Sequence, residues 1–118
     1  WSAEMSFHFD CIYYYVKDLD RSIPFYSGIL GFKLVSQDAV ARFLVDGILF
    51  ELVPTSDESK LGGSGNARLC LKVDDIKRAV HELRNRGVRV KDVHVVHNGM
   101  LAPFEDPDGN ELMLWQYT

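Results

Sequence analysis

The chain has 118 residues, a formal net charge of −4 and a hydrophobic content of 47%. This length fits one domain that can bury a core, and the composition is ordinary for a globular protein. The negative charge argues against a nucleic-acid partner, because neutralising phosphates requires clustered lysine and arginine side chains. No apolar run approaches the ~20 residues that span a bilayer, so we expect no membrane segment.

The cysteine content and the start of the sequence bear on cellular location. Cys11 and Cys70 are too few for a disulfide framework, and no signal-peptide pattern opens the sequence. We therefore expect a reduced, cytoplasmic protein. Trp1 to Glu4 precede Met5, and we interpret them as a remnant left by cloning, with Met5 as the natural start.

The first half of the chain predicts one strand, one helix and three further strands. Alternating residues from Phe9 to Val16 indicate the first strand, and Asp18 suits the start of a helix that Gly31 would end. Pro24 should kink or shorten that helix, because it removes a backbone hydrogen bond. The remaining strands are Phe32 to Ser36, Ala39 to Val45 and Ile48 to Val53. An Asp46-Gly47 turn joins the last two.

The second half predicts the same order after a connecting segment, residues 54–66, that is rich in glycine and serine. Asp75 suits the start of the second helix, and Gly87 should end it. The predicted strands of this half are Ala67 to Val73, Val88 to Val96, Met100 to Phe104 and Glu111 to Gln116. Asp108-Gly109 repeats the turn of the first half.

Two offsets relate the halves. The strand-to-helix stretch that begins at Cys11 recurs at Arg68, 57 residues later, and the turn at Asp46 recurs at Asp108, 62 residues later. Such a repeat indicates an internally duplicated fold. We predict a single α+β domain over residues 1–118, with tandem βαβββ modules at about 7–53 and 67–117. One module alone would expose an apolar face, so the second must cover it.

Several short motifs together resemble a known superfamily. They are the stretch from Val16 to Ser22, Phe25-Tyr26, Leu30-Gly31-Phe32, and Asp106-Pro107-Asp108-Gly109-Asn110. Over about residues 10–116 the chain resembles the vicinal oxygen chelate superfamily, which includes glyoxalase I, bleomycin resistance proteins, fosfomycin resistance enzymes and extradiol dioxygenases. The resemblance implies a curved mixed-sheet cup, often completed by a second subunit, with the site inside. We therefore expect a homodimer.

The resemblance also implies where a metal would bind. Members with a metal take one ligand from the first and one from the fourth strand of each module, which here gives Cys11, Glu51, Arg68 and Met113. A guanidinium cannot be a ligand and repels a cation, and a thioether offers neither imidazole nitrogen nor hard oxygen. We therefore predict no metal and no other cofactor. The alternative is one divalent metal bound through Glu51 with unconventional ligands.

The four histidines do not restore this ligand set. His94 and His97 are three residues apart in a predicted strand, so their side chains should face opposite ways. His8 lies three residues before Cys11 and should face away from the cup for the same reason, unless a bulge in the strand shifts its register. His81 lies on the second helix, and we expect it at the surface.

Alternation along the strands predicts which residues line the cup. If Cys11 and Arg68 face inward, every second residue of their strands does too, and Glu111 and Trp115 flank Met113. The predicted ligand-binding residues are Cys11, Tyr13, Tyr15, Glu51, Arg68, Cys70, Lys72, Met113 and Trp115. Such a surface suits a flat or aromatic molecule, although aromatic residues on a strand also serve as core or dimer interface.

Glu51 and Arg68 have two interpretations. They either pair with each other where a cation would sit, or Arg68 binds an anionic or carbonyl group of a ligand. The function we predict is metal-free binding of a small aromatic or anionic molecule, as the bleomycin-resistance branch implies. Two enzyme classes are the alternatives: a glyoxalase-type lyase, isomerase or dioxygenase with a metal at Glu51, or a metal-free enzyme with Glu51 as catalytic base and Arg68 as electrostatic stabiliser.

Overall fold

The computed structural model describes residues 5–62 and 67–118. Two four-stranded sheets follow one another along the chain, and each is accompanied by a helix. Each sheet combines one parallel strand pair with antiparallel pairs. The predicted α+β fold of two tandem βαβββ modules is therefore confirmed. Within the described residues, no helix combines the length and apolar character needed to cross a membrane.

The first module begins at Cys11. Its strands are β1 (Cys11–Val16), β2 (Lys33–Gln37), β3 (Ala41–Val45) and β4 (Ile48–Pro54), arranged in the order β1-β4-β3-β2. Helix α1 (Leu19–Ile23) follows Asp18, whose carboxylate accepts a hydrogen bond from the Asp20 N–H. The helix continues as a wider π-type turn, Pro24–Ile29, because Pro24 has no N–H to donate to the preceding turn.

The second module repeats this layout. Its strands are β5 (Leu69–Lys72), β6 (His94–Val96), β7 (Gly99–Glu105) and β8 (Glu111–Tyr117), arranged in the order β5-β8-β7-β6. Helix α2 (Ile76–Asn85) starts after Asp75, whose carboxylate accepts a hydrogen bond from the Arg78 N–H. The connecting segment contains a short 3-10 turn, Glu58–Lys60, and its residues 63–66 lie outside the described residues.

Strand pairing in the two sheets confirms the internal repeat. The parallel pair β1 and β4 places Tyr13 opposite Glu51, and the parallel pair β5 and β8 places Cys70 opposite Met113. These positions differ by the same 57 and 62 residues that relate the halves of the sequence. In the first copy of the turn, Asp46 (φ 49°) and Gly47 (φ 77°) both adopt the left-handed conformation that a two-residue hairpin requires.

Several predicted strands were too long, and those predicted from Phe9, Ala39 and Ala67 begin at Cys11, Ala41 and Leu69. Phe9 and Asp10 precede β1, since extending its parallel register by two residues would place Phe9 opposite Gly47, inside the turn. Most of the predicted strand over residues 88–96 was also wrong, because β6 covers His94–Val96 and the earlier residues contribute an isolated bridge between Val90 and Phe104. The alternating valines of this segment reflect burial of Val88 and Val90 against the core.

One hydrophobic core joins the modules. Tyr26, Phe43 and Phe50 of the first module are almost completely buried, and so are Ile76 and Leu112 of the second. The aromatic rings of the first three lie 5.1–6.3 Å apart between centroids. These buried side chains belong to one hydrophobic cluster that includes residues of both modules.

A polar loop fastens the second module to the first. This inter-module latch is the segment of residues 106–110. The Tyr26 hydroxyl donates to the buried Asp106 carboxylate at 2.7 Å, and the Asn110 side chain donates to the Tyr15 carbonyl at 2.8 Å. Arg21 forms an ion pair with Asp108. The motif at residues 106–110, which carries part of the resemblance to the superfamily, therefore holds the two modules together.

Tyr14 provides a second polar link. Its hydroxyl accepts a hydrogen bond from the Leu69 N–H at 2.8 Å and donates one to the Glu111 carbonyl at 3.0 Å. Since Leu69 and Glu111 begin the paired strands β5 and β8, a side chain of the first module bridges the start of the second sheet. The relative position of the two sheets is thus fixed by hydrogen bonds as well as by the core.

Candidate functional site

Four of the predicted ligand-binding residues share one face of the first sheet. This first site face consists of Cys11, Tyr13, Tyr15 and Glu51, and it lies opposite the core face that carries Tyr14 and Val16. The rings of Tyr13 and Tyr15 meet edge to face at 5.5 Å between centroids. Lys60, from the 3-10 turn, lies 5.0 Å above the Tyr15 ring. Two aromatic rings and a cation therefore border this surface.

Glu51 is close to a guanidinium, but not to the one that the sequence suggested. Its carboxylate lies 3.9 Å from the Arg42 Nε, because β3 and β4 pair in a register that places these two residues opposite each other. The Arg42 guanidinium also contacts the Asp38 carboxylate at 3.2 Å. The charge of Glu51 is thus compensated within its own sheet.

Four further predicted residues lie together on the second sheet. This second site face consists of Cys70, Lys72, Met113 and Trp115, with Cys70 opposite Met113 and Lys72 opposite Trp115. The Trp115 ring lies on Gly99 of β7, where an added Cβ would come within 2.6 Å of the ring and 2.4 Å of the Gln116 carbonyl oxygen. The absence of a side chain at Gly99 lets the indole lie against the strand.

Arg68, the remaining predicted residue, immediately precedes β5. Its Nε donates to the Glu111 carboxylate at 3.1 Å, and its Nη1 donates to the Ala67 carbonyl at 2.9 Å. Of the two interpretations of Glu51 and Arg68, mutual pairing was wrong within one chain, because Glu51 lies beside Arg42 and Arg68 contacts Glu111. Arg68 and Glu111 remain partly exposed, at 35% and 32% of their side-chain surface.

A cavity of about 280 Å³ lies where the first sheet meets strand β5. Cys70 and Lys72 contribute to its wall, together with Ile12, Ile48 and Phe50 of the first sheet. The last three were absent from the predicted site, because their positions in the strands place them on the core side. This cavity is thus a mainly apolar space next to the second site face, with Lys72 and Asp46 as the charged residues of its lining.

The two thiols are not activated. Partial burial and the neighbouring Glu51 and Asp10 carboxylates raise the pKa of Cys11, and burial raises the pKa of Cys70. Because the thiolate is the nucleophile, a raised pKa disfavours covalent catalysis at neutral pH. Cys11 is half-buried and Cys70 is exposed, so neither thiol belongs to the core.

The positions that correspond to metal ligands do not fit a divalent cation. Cys11, Glu51, Arg68 and Met113 supply a protonated thiol, a carboxylate already beside Arg42, a permanent cation and a thioether. His8, His81, His94 and His97 are all exposed. Across residues 5–62 and 67–118, no three His, Cys, Asp or Glu side chains are grouped so that they could hold a metal ion.

Comparison with known proteins identifies the family. Residues 8–114 match the family model of the Glyoxalase/Bleomycin resistance protein/Dioxygenase superfamily. The chain belongs to this superfamily. No curated protein matches the sequence. Membership agrees with the resemblance that the turn and helix motifs indicated, and the superfamily includes several chemistries, so the site itself must decide the function.

Solved structures share the fold over nearly the whole chain. TnmS3, an antibiotic binding protein from Streptomyces sp. CB03234, is 26% identical, with a TM-score of 0.80 over 98% of this chain and 100% of that chain. The fosfomycin resistance protein FosX from Listeria monocytogenes is 18% identical, with a TM-score of 0.80 over 97% and 96%. Lactoylglutathione lyase from Agrobacterium tumefaciens is 17% identical, with a TM-score of 0.75 over 91% of each chain.

Proposed function

We propose that this superfamily member binds a small organic molecule with an aromatic and an anionic or carbonyl part, and that it does so without a metal. The observation that carries the proposal is the set of side chains at the metal-ligand positions, in which Arg68 places a permanent positive charge. Tyr13, Tyr15 and Trp115 add the flat surfaces that suit an aromatic ligand. The similarity to the antibiotic binding protein TnmS3 supports the same class of function.

Arg68 is the residue we propose as the anchor. A planar guanidinium can donate two parallel hydrogen bonds to a carboxylate or phosphate, and its contact with Glu111 leaves about a third of the side chain exposed. A ligand anion would therefore compete with Glu111 for the same donor group. Because of this competition, the role of Arg68 can be tested by replacing either Arg68 or Glu111.

We also propose that the protein acts as a homodimer whose second copy completes the site. Phe7, Phe9 and Val95 each expose more than three-quarters of their surface, and Tyr117, beside Trp115, exposes 63%. The accessible surface of 7842 Å² exceeds the roughly 6,500 Å² expected for a compact chain of this mass. Large exposed apolar side chains of this kind are typical of an interface.

A thermal-shift screen of aromatic antibiotics and aryl carboxylates tests the binding proposal, because a ligand that binds the folded form raises its melting temperature. We expect Arg68→Met to abolish the shift produced by a hit. Glu111→Gln is the matched control, since it removes the competing carboxylate and keeps the guanidinium, so the shift should persist or increase. Hits that stabilise Arg68→Met as well as the parent protein contradict the anchoring role.

Elemental analysis tests the proposal that the protein binds its ligand without a metal. We expect no stoichiometric Ni, Zn, Fe or Mn in the purified protein. About one metal ion per chain, lost in Glu51→Gln, would instead support a glyoxalase-type enzyme. Turnover of a bound ligand by the metal-free protein, again lost in Glu51→Gln, would support an enzyme with Glu51 as its base.

A further inference from the structure

A basic groove lies at the outer edge of the second sheet, beyond the two site faces. It is formed by the end of α2 and the segment that follows, and its cavity measures about 590 Å³. Arg84, Arg89 and Lys91 provide its cations, and the aliphatic stems of these side chains provide exposed apolar surface, whereas Val88 and Val90 in its lining are largely buried in the core. The concentration of positive charge is notable in a chain with a net charge of −4.

Backbone contacts hold the groove in shape. Val90 is bridged to Phe104, and the Lys91 N–H donates to the Pro103 carbonyl at 2.8 Å. Val88 and Val90 are 7% and 8% exposed, so the alternating residues Arg89 and Lys91 project outward on the same side. The two cations are therefore neighbours on a fixed strand-like segment.

The charges of the groove are unbalanced. Arg84 donates to the Val90 carbonyl at 2.8 Å and to the Asp92 carboxylate at 3.3 Å, which holds its side chain along the groove. Glu105 is the acidic residue of the lining. Within residues 5–62 and 67–118, neither Arg89 nor Lys91 forms an ion pair shorter than 4.0 Å. A bound anion would supply the missing negative charge.

We propose that the basic groove is a second binding site, which takes a small organic anion with an apolar portion. The anionic group would contact the charged ends of Arg89 and Lys91, and the apolar portion would lie along the aliphatic stems of these side chains and of Arg84. The volume of about 590 Å³ lies in the range of small-molecule sites, and the cations supply a few polar groups that could fix a ligand's orientation. Guanidinium and ammonium groups side by side suit a phosphate or carboxylate.

Titration with phenyl phosphate, monitored through the backbone amide signals in NMR, tests the proposal. We expect millimolar phenyl phosphate to shift the amide signals of residues 87–91. Replacing Arg89→Ala and Lys91→Ala together should weaken its affinity about tenfold or more, because two charge-assisted contacts are lost. Lys77→Ala removes an exposed cation elsewhere on α2 and is the matched control, with unchanged affinity expected.

Two simpler probes separate the parts of the interaction. Inorganic phosphate carries the charge without the ring, and phenol carries the ring without the charge, so both should bind more weakly than phenyl phosphate. An unshifted segment 87–91, or an affinity that the double variant leaves unchanged, overturns the proposal. Equal affinity for inorganic phosphate overturns the apolar contact, and equal affinity for phenol overturns the role of the cations.

Discussion

The hydrogen bond between Tyr26 and Asp106 offers a direct test of the inter-module latch. Both residues are buried, and the hydroxyl donates to the carboxylate at 2.7 Å. Tyr26→Phe removes this donor and keeps the ring, so the packing against Phe43 and Phe50 is preserved. The Asp106 carboxylate keeps its contacts with the Asn110 side chain and with two backbone N–H groups, but it loses one donor.

The magnitude follows from the type of bond. A hydrogen bond to a charged group contributes about 1.5–3 kcal/mol, so Tyr26→Phe should lower the free energy of unfolding by about that amount. With an unfolding entropy of about 2.1 cal/mol/K per residue, each kcal/mol lowers the melting temperature by about 4 °C. The expected decrease is therefore about 6–12 °C.

Equilibrium unfolding in urea, with a thermal scan beside it, measures the effect. Tyr13→Phe, measured without ligand, is the matched control, because the same hydroxyl is removed from a side chain that is 50% exposed, and its stability should equal that of the parent. A free energy of unfolding for Tyr26→Phe within about 0.5 kcal/mol of the parent, the usual range for surface changes, would show that the bond does not hold the modules together.

Three further outcomes are expected. Gly99→Ala should destabilise the protein by about 1–3 kcal/mol and change Trp115 fluorescence, since the new methyl group meets the indole; a parent-like emission spectrum would argue against that contact. Burial, the largest cause, raises the pKa of Asp106 above its ordinary 3.8, so stability contributed by this group is present below that pH and is lost as pH rises through the folded pKa. Urea unfolding of Asp106→Asn, measured at pH values from 3.8 upward, should not show this pH-dependent loss of stability. If the parent and the variant give identical pH profiles, Asp106 is not the group responsible. Sedimentation at micromolar concentration should give a dimer, and a monomer would refute the proposed assembly.

Local patterns predicted much of the fold. Asp18 and Asp75 start their helices as expected, because an N-terminal carboxylate satisfies free backbone N–H groups wherever it occurs. The Asp46-Gly47 turn even fixes the register of its hairpin, which places Arg42 opposite Glu51. The true partner of Glu51 could therefore have been found in the sequence by counting outward from the turn.

Contacts between residues far apart in the chain could not be predicted from the sequence in the same way. Lys60 reaches the Tyr15 ring from a turn in the connecting segment, and no periodicity in the sequence encodes that approach. The alternation around Val88 and Val90 fits either a paired strand or a segment packed on the core, and the choice depends on whether a partner strand is available. The same ambiguity applies to the aromatic residues of the site, which alternate as predicted whether they meet a ligand or a second subunit.

The two Asp-Gly turns show how far the repeated halves have diverged. Asp46 lies exposed at the tip of a hairpin, whereas Asp108, 62 residues later, pairs with Arg21 and accepts a hydrogen bond from the Lys17 N–H of the other module. The two copies of the turn therefore differ in role. The first turn closes a hairpin, whereas the second closes a hairpin and also joins the two halves. The halves are no longer interchangeable: grafting the second turn into the first half should be tolerated, whereas the reverse graft would remove the connection between them.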